Sequence, residues 1–141
     1  MRLRLKYAPE PANAARFAAD IAAAAANVSG VELDYTPDSL GHVDEIIEGF
    51  RSDGLSSDQV AETLFGFGCY VGEVLRHNAD GVWRPTTEQE EDIFGFPMVM
   101  ELPTGMVCNP IGKAFKRLDH GPEESVPYFY HVFTSERPGE V

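Results

Sequence analysis

The chain has 141 residues, 43% of them hydrophobic and 24% charged, with a formal net charge of −12. Length and apolar content suit one folded domain with a real core and exclude a disordered chain. The charge argues against general binding to nucleic acid or to an anionic membrane, both of which attract basic surface, and leaves a basic protein partner as the complementary expectation.

Met1 to Lys6 alternates Leu with Arg and Lys, which fits a short amphipathic strand or a frayed arm, and it lacks the apolar centre of a secretory leader. No window is long and apolar enough to predict a membrane span. Cys69 and Cys108 are the two cysteines, too few for a disulfide framework. Reduced, buried thiols and a cytoplasmic location are therefore expected.

Pro9 and Pro11 open a predicted helix running to about Asn27, rich in Ala, with Phe17 and Ile21 on its apolar stripe and Gly30 as its end. Val31, Leu33 and Tyr35 alternate with Glu32 and Asp34, the pattern of a short half-buried strand. Thr36-Pro37-Asp38 supplies an N-cap, a first-turn Pro and an acid. The helix it opens carries Leu40, Val43, Ile46, Ile47 and Phe50 at helical spacing and closes at Gly54.

Ser56 to Trp83 contains the longest helical pattern. Ser56 and Gln59 have capping-box spacing, and Gly81 is the expected stop, with Asn78 and Asp80 helping to break the helix. Val60, Leu64, Phe67, Val71, Val74 and Leu75 form one stripe, and Phe65, Gly68 and Gly72 extend it sideways. The remaining face holds Glu62, Gly66, Cys69, Glu73 and His77. A helix covered over most of its circumference should be central to the fold. Gly66, Gly68 and Gly72 each cost about 1 kcal/mol against Ala. Gly68 and Gly72 share a face, so either another backbone packs closely there or a ligand lies against bare backbone. Glu73 and Arg76 interrupt the segment and rule out a membrane GxxxG reading.

Glu73 has Arg76 at i+3 and His77 at i+4, within side-chain reach. This reads either as an ion pair on a helix face or as the polar rim of a pocket walled by Tyr70 and Trp83. Val82-Trp83 begins a sheet-like stretch, and Thr86 to Asp92 is a polar loop or short helical turn without a calcium-loop pattern. Phe96–Leu102 and Met106–Asn109 flank Pro103-Thr104-Gly105 and predict a β-hairpin. Asn109-Pro110 caps a helix whose Lys113, Lys116 and Arg117 suit its C-terminal end. A last helix is expected to open at Gly121 to Glu124 and to pack through Val126, Tyr128, Phe129, Val132 and Phe133, with a flexible tail over 135–141. The predicted fold is α+β: a central apolar helix packed with other helices against a small antiparallel sheet containing the hairpin. No linker or repeat divides the chain.

No phosphate-binding loop, nucleophile elbow, HExxH or CxxC is present, so neither catalytic residues nor a cofactor are assigned. His42, His77, His120 and His131 lack a second ligand at metal spacing, so no metal is expected. Leu33-Asp34-Tyr35, Ser39-Leu40, Asp44, the run Gly68-x-Tyr70-x-Gly72-Glu73-Val74 and Gly81-x-Trp83 together resemble a small bacterial protein family of unknown function. Asn109-Pro110-Ile111-Gly112-Lys113 with Lys116-Arg117 adds to that resemblance, which spans about residues 31 to 133 and implies no activity. The leading expectation is a non-enzymatic cytoplasmic binding or regulatory module with an acidic surface, an inhibitor or immunity-type protein being one form. The alternative is a small enzyme or small-molecule binder using Tyr70, Glu73, Arg76 and Trp83 with Lys113 or Lys116. A self-associating subunit with a large exposed apolar patch is a third possibility.

Overall fold

Glycines 66, 68 and 72 strip side chains from two sides of the central helix, and the computed structural model, which describes residues 3–135, packs neighbours into those gaps. The central helix, α3 (Ala61–Ala79), follows α1 (Ala14–Ala24) and α2 (Leu40–Ser52). Every α3 residue from Leu64 to Leu75 is buried. A Cβ added at Gly66 would lie 3.2 Å from the Ile21 Cβ of α1, and one at Gly68 would lie 2.3 Å from an Ile111 Cα. Ile111 belongs to α5 (Pro110–His120), so α1 and α5 each approach α3 where it lacks side chains.

Past α3 the chain forms β1 (Val82–Pro85), α4 (Glu88–Phe94), β2 (Met98–Glu101) and β3 (Val107–Cys108), and after α5 it ends in α6 (Val126–Thr134). The strands make an antiparallel sheet in the order β1-β2-β3, with Trp83 opposite Met100 and Met100 opposite Cys108. The fold is α+β, as expected, and the β2–β3 hairpin turns at Pro103-Thr104-Gly105. Trp83, Met98 and Met100 of this sheet join the same buried cluster as Leu64, Phe65 and Ile111.

Several boundaries differ from the sequence reading. The Ala-rich helix starts with a 3-10 turn at Pro11–Asn13 and ends in a π-helical turn at Ala25–Ser29, with Gly30 at φ 65°. Val31 to Tyr35 is not a strand. Leu33 is buried, as the alternation requires, but the segment joins no ladder, and Tyr35 turns back at φ 64°. The Asp34 carboxylate accepts from the Thr36 amide and hydroxyl, a local turn that competes with extension. Ser56 and Gln59 do exchange capping hydrogen bonds, but these close a turn, and α3 itself begins at Ala61. Asp80, at φ 57°, takes the left-handed cap that ends α3, and Gly81 follows it. Thr87 and Glu90 form a capping box, so the polar stretch there is a helix. The last helix starts at Val126 under a Ser125 cap, because Gly121 at φ 91° and the 3-10 turn Pro122–Glu124 intervene. Leu3, Leu5 and Tyr7 of the N-terminal arm pack against the core without forming a strand. The expected beginning of that arm, and the expected tail beyond Ser135, lie outside the described residues.

A Cβ at residue 72 would sit 1.9 Å from the Trp83 Cζ2, whereas at Gly49 of α2 it would meet nothing within 4 Å. Gly72→Ala should therefore lower stability by about 1–3 kcal/mol or more, overriding its helix-propensity gain. Gly49→Ala should raise stability by up to about 1 kcal/mol. Denaturant midpoints at unchanged slope distinguish the two.

The Arg84 guanidinium, then the Thr87 amide, hold the Glu90 carboxyl down at about 2, from an ordinary 4.5. The folded form is thus the weaker proton binder. The stabilisation from this contact is complete above the ordinary value and lost as pH falls towards the folded one. Glu90→Gln should be less stable than the parent at neutral pH, with the difference closing between those two values in acid denaturation curves.

Candidate functional site

Helical spacing places Glu73, Arg76 and His77 on one turn of α3, and β1 carries Trp83 across that turn. The Glu73 side chain is 2% exposed. Its Oε2 accepts from Arg76 Nε and from Trp83 Nε1, each at 3.0 Å, and its Oε1 accepts from Arg76 Nη2 at 3.0 Å. The Arg76 contact is a bidentate pair, the strongest geometry available to these groups. Hydrogen bonding from Glu73, with its charge, pushes the guanidinium above its ordinary value. Arg76 Nη2 also lies 3.1 Å from His77 Nε2. Glu73 is therefore the fixed acceptor that orients a cation and an indole, since both of its oxygens are engaged.

Gly72 explains how the indole gets there. The Trp83 ring occupies the space a Cβ would fill. Of the two readings of the bare helix face, close packing is the observed one: a protein ring and the α5 backbone occupy it.

Beside this cluster runs an open groove of about 560 Å³. Glu73 and Arg76 line it with Gly81, Val82 and Trp83 on one side and Pro11, Ala12 and Ala15 on the other. The Arg76 side chain is 48% exposed and Val82 is 61% exposed, so the groove presents a cation and an aliphatic rim to solvent.

Tyr70 faces elsewhere. Its hydroxyl lies 2.6 Å from Ser39 Oγ and accepts from the Tyr35 amide at 2.8 Å, and burial pushes its phenol upward. Asn78 Nδ2 donates to the Tyr35 carbonyl at 2.8 Å, and the Tyr35 ring stacks on His77 at 5.1 Å. Tyr70 thus anchors the left-handed turn at Tyr35 and meets the Glu73 cluster through His77, not through the groove. Lys113 pairs with Glu124, and Lys116 is exposed on α5; neither lines the groove. The structure brings together Glu73, Arg76 and Trp83 of the six expected residues and leaves Tyr70, Lys113 and Lys116 outside. The groove wall at Pro11, Ala12 and Ala15 was not anticipated, because nothing local in an Ala-rich helix marks which face meets a distant strand. Arg117 was expected only as a helix-end charge, yet it is buried and bonds Asp44 and Glu48 of α2 at 2.9 Å. Among the described residues no cluster of three metal-ligating side chains forms.

Comparison with known proteins places the chain in no family: no family model matches it, nor does any curated protein or solved structure.

Two outcomes follow from this geometry. Glu73→Gln removes the charge that Arg76 and Trp83 share and should cost about 1–3 kcal/mol, and Trp83→Phe removes one donor. In a double-mutant cycle the two should couple by about 0.5–3 kcal/mol, and a coupling near zero would show that the indole bond contributes nothing. Burial pushes the Cys108 thiol up to about 12, and burial together with the Glu73 charge pushes Cys69 higher still. Neither thiol should react with a water-soluble disulfide reagent in the native protein at mildly alkaline pH, and both should react in denaturant.

Proposed function

We propose that this chain is a cytoplasmic, non-enzymatic binding module for a basic protein partner, which its acidic surface would engage, an inhibitor or immunity-type protein being one form. The observation that carries the reading is how its charges are disposed. Lys6, Arg51, Arg76, Arg84, Lys113 and Arg117 are all engaged in internal ion pairs. Glu32, Asp38, Glu45, Asp53, Asp58, Glu88 and Glu91 are exposed and enter no ion pair among the described residues. Six of the nine described Lys and Arg side chains are paired, and the exposed Arg4, Arg16 and Lys116 are outnumbered by exposed carboxylates outside any ion pair, so the surface is acidic, as the net charge of −12 requires. Such a field speeds and selects encounter with positive surfaces. Two buried free thiols support a reducing compartment. Among the described residues no helix is long and apolar enough to cross a membrane, which is in keeping with a partner that is not a lipid bilayer.

Of the residues that carry the resemblance, Gly72, Glu73 and Trp83 build the cluster, while Gly68 packs against Ile111 and Tyr70 bonds Ser39 and Tyr35, so we read it as a shared scaffold with no activity implied. A small molecule in the groove is the second reading. It is favoured by the volume of about 560 Å³ and by an exposed guanidinium next to an indole.

Capture from a native lysate at low salt tests the first reading. The parent should retain basic proteins that elute as salt shortens the Debye length below about 10 Å. Asp53→Lys with Asp58→Lys should weaken retention through the field, whereas Ala15→Trp, which blocks the groove, should leave it unchanged. No basic protein retained by the parent overturns the partner reading. Retention unchanged by the charge reversals but lost with Ala15→Trp moves the weight to a groove ligand.

A further inference from the structure

Three apolar helix stripes converge at one place without closing. Ile21 and Val28 lie two turns apart on α1 and the π-helical turn that ends it. Ile46 and Phe50 lie one turn apart on α2, and Thr63 and Phe67 one turn apart on α3. α1 and α3 meet tightly at Gly66 and Ile21. Between the end of α1, α2 and α3 a cleft of about 200 Å³ remains.

The wall chemistry is narrow. In a chain with 24% charged residues, the lining carries no charged side chain; its polar groups are the hydroxyls of Thr63 and Ser29. A cleft of about 200 Å³, open to solvent at Ala24, Val28 and Ser29, has room for one aromatic ring with a short substituent, and the hydroxyls can bond one neutral polar group. A charged ligand would lose its hydration there without an ionic partner. At the rim, Val28 is 85% exposed, the most exposed large apolar side chain among the described residues. It sits on the π-helical turn that ends α1 under the left-handed Gly30. A ligand in the cleft would cover part of that side chain.

We infer that this cleft is a binding site for a small uncharged molecule, an aromatic ring bearing a hydroxyl. The site stands apart from the Glu73 groove and does not depend on the partner proposed above.

Methyl-resolved NMR of the intact protein, titrated with benzyl alcohol, tests it. The Ile21, Ile46 and Val28 methyls should shift and saturate. Benzoate should act at those methyls about tenfold more weakly or less, because its carboxylate must be desolvated. Ala24 is exposed beside the cleft. Ala24→Phe should fill the space and abolish the shifts while the remaining spectrum stays that of the folded parent. Thr63→Val keeps the shape and removes a hydroxyl, so it should weaken benzyl alcohol but not toluene. Absence of saturable shifts at these methyls overturns the inference. So do shifts of equal size with benzoate, or shifts confined to Val82 at the Glu73 groove. Should Ala24→Phe fail to fold, equal loss of benzyl alcohol and toluene in Thr63→Val overturns the hydroxyl-bearing ligand.

Discussion

Bare backbone at Gly68 and Gly72 is the constraint on which the remaining packing depends. A helix with ordinary side chains there would hold α5 at the usual 8–10 Å between axes. Here an added Cβ at Gly68 would come within 2.3 Å of the Ile111 Cα, so the α5 backbone itself lies on α3. Four residues on, the same side accepts an indole. That placement fixes where β1 begins, because Trp83 is its second residue and cannot slide along α3 without striking a side chain. β2 then pairs with β1 and β3 with β2. The glycine costs in α3 thus secure the relation between the helical layer and the sheet.

The Glu73 cluster converts that packing into a defined register. Dispersion over a smooth helix face tolerates small shifts, whereas a hydrogen bond of 3.0 Å from Trp83 Nε1 to a buried oxygen does not. Buried ion pairs are poor sources of stability, since desolvation offsets much of the attraction. Arg76 reduces that cost by keeping half of its side chain in water while its fork reaches inward. The cluster is better understood as a positioning device than as a stability device. It has one charged group buried, one shared with solvent, and an aromatic donor held between the helix and the sheet.

Local signals were legible where the chemistry is local. Thr36 caps through its side chain to the Ser39 amide, and Asn109 caps α5 through the Gly112 amide. The Pro-Thr-Gly turn gave the hairpin, and the glycine spacing gave the close approach on α3. Thr86 to Asp92 reads as a loop or a short helical turn, and the Thr87-x-x-Glu90 capping box decides for the helix. The strand expected at Val31 to Tyr35 failed for a different reason. Alternation reports that Leu33 turns inward, which is true, but says nothing of whether another strand lies alongside, and a ladder needs one. The candidate site divides in the same way. Glu73 with Arg76 follows from an i,i+3 spacing, and the indole was the nearest aromatic downstream. Tyr70 is only three residues from Glu73, yet Ser39 and Tyr35 claim its hydroxyl, which is decided by a segment more than thirty residues earlier in the chain.

Charge acts on two scales in this molecule. At short range, cations are drawn into named pairs: Arg117 between Asp44 and Glu48, Arg84 between Glu90 and Glu101, Arg76 on Glu73. The first two tie together segments that apolar contact alone would leave free to slide, α5 to α2 and α4 to the sheet, whereas Arg76 and Glu73 pair within α3. Asp44 extends this by accepting from the Val126 amide as well, so one carboxylate anchors α5 and the start of α6 together. At long range the same pairing offsets positive charge on the surface, and the larger number of exposed carboxylates outside any ion pair sets the field. A chain with fewer internal pairs but the same composition would show a patchwork of both signs to a partner. Internal tethering and external selectivity therefore have a common cause, and a substitution that frees one of these arginines would loosen a segment and weaken the outer field together.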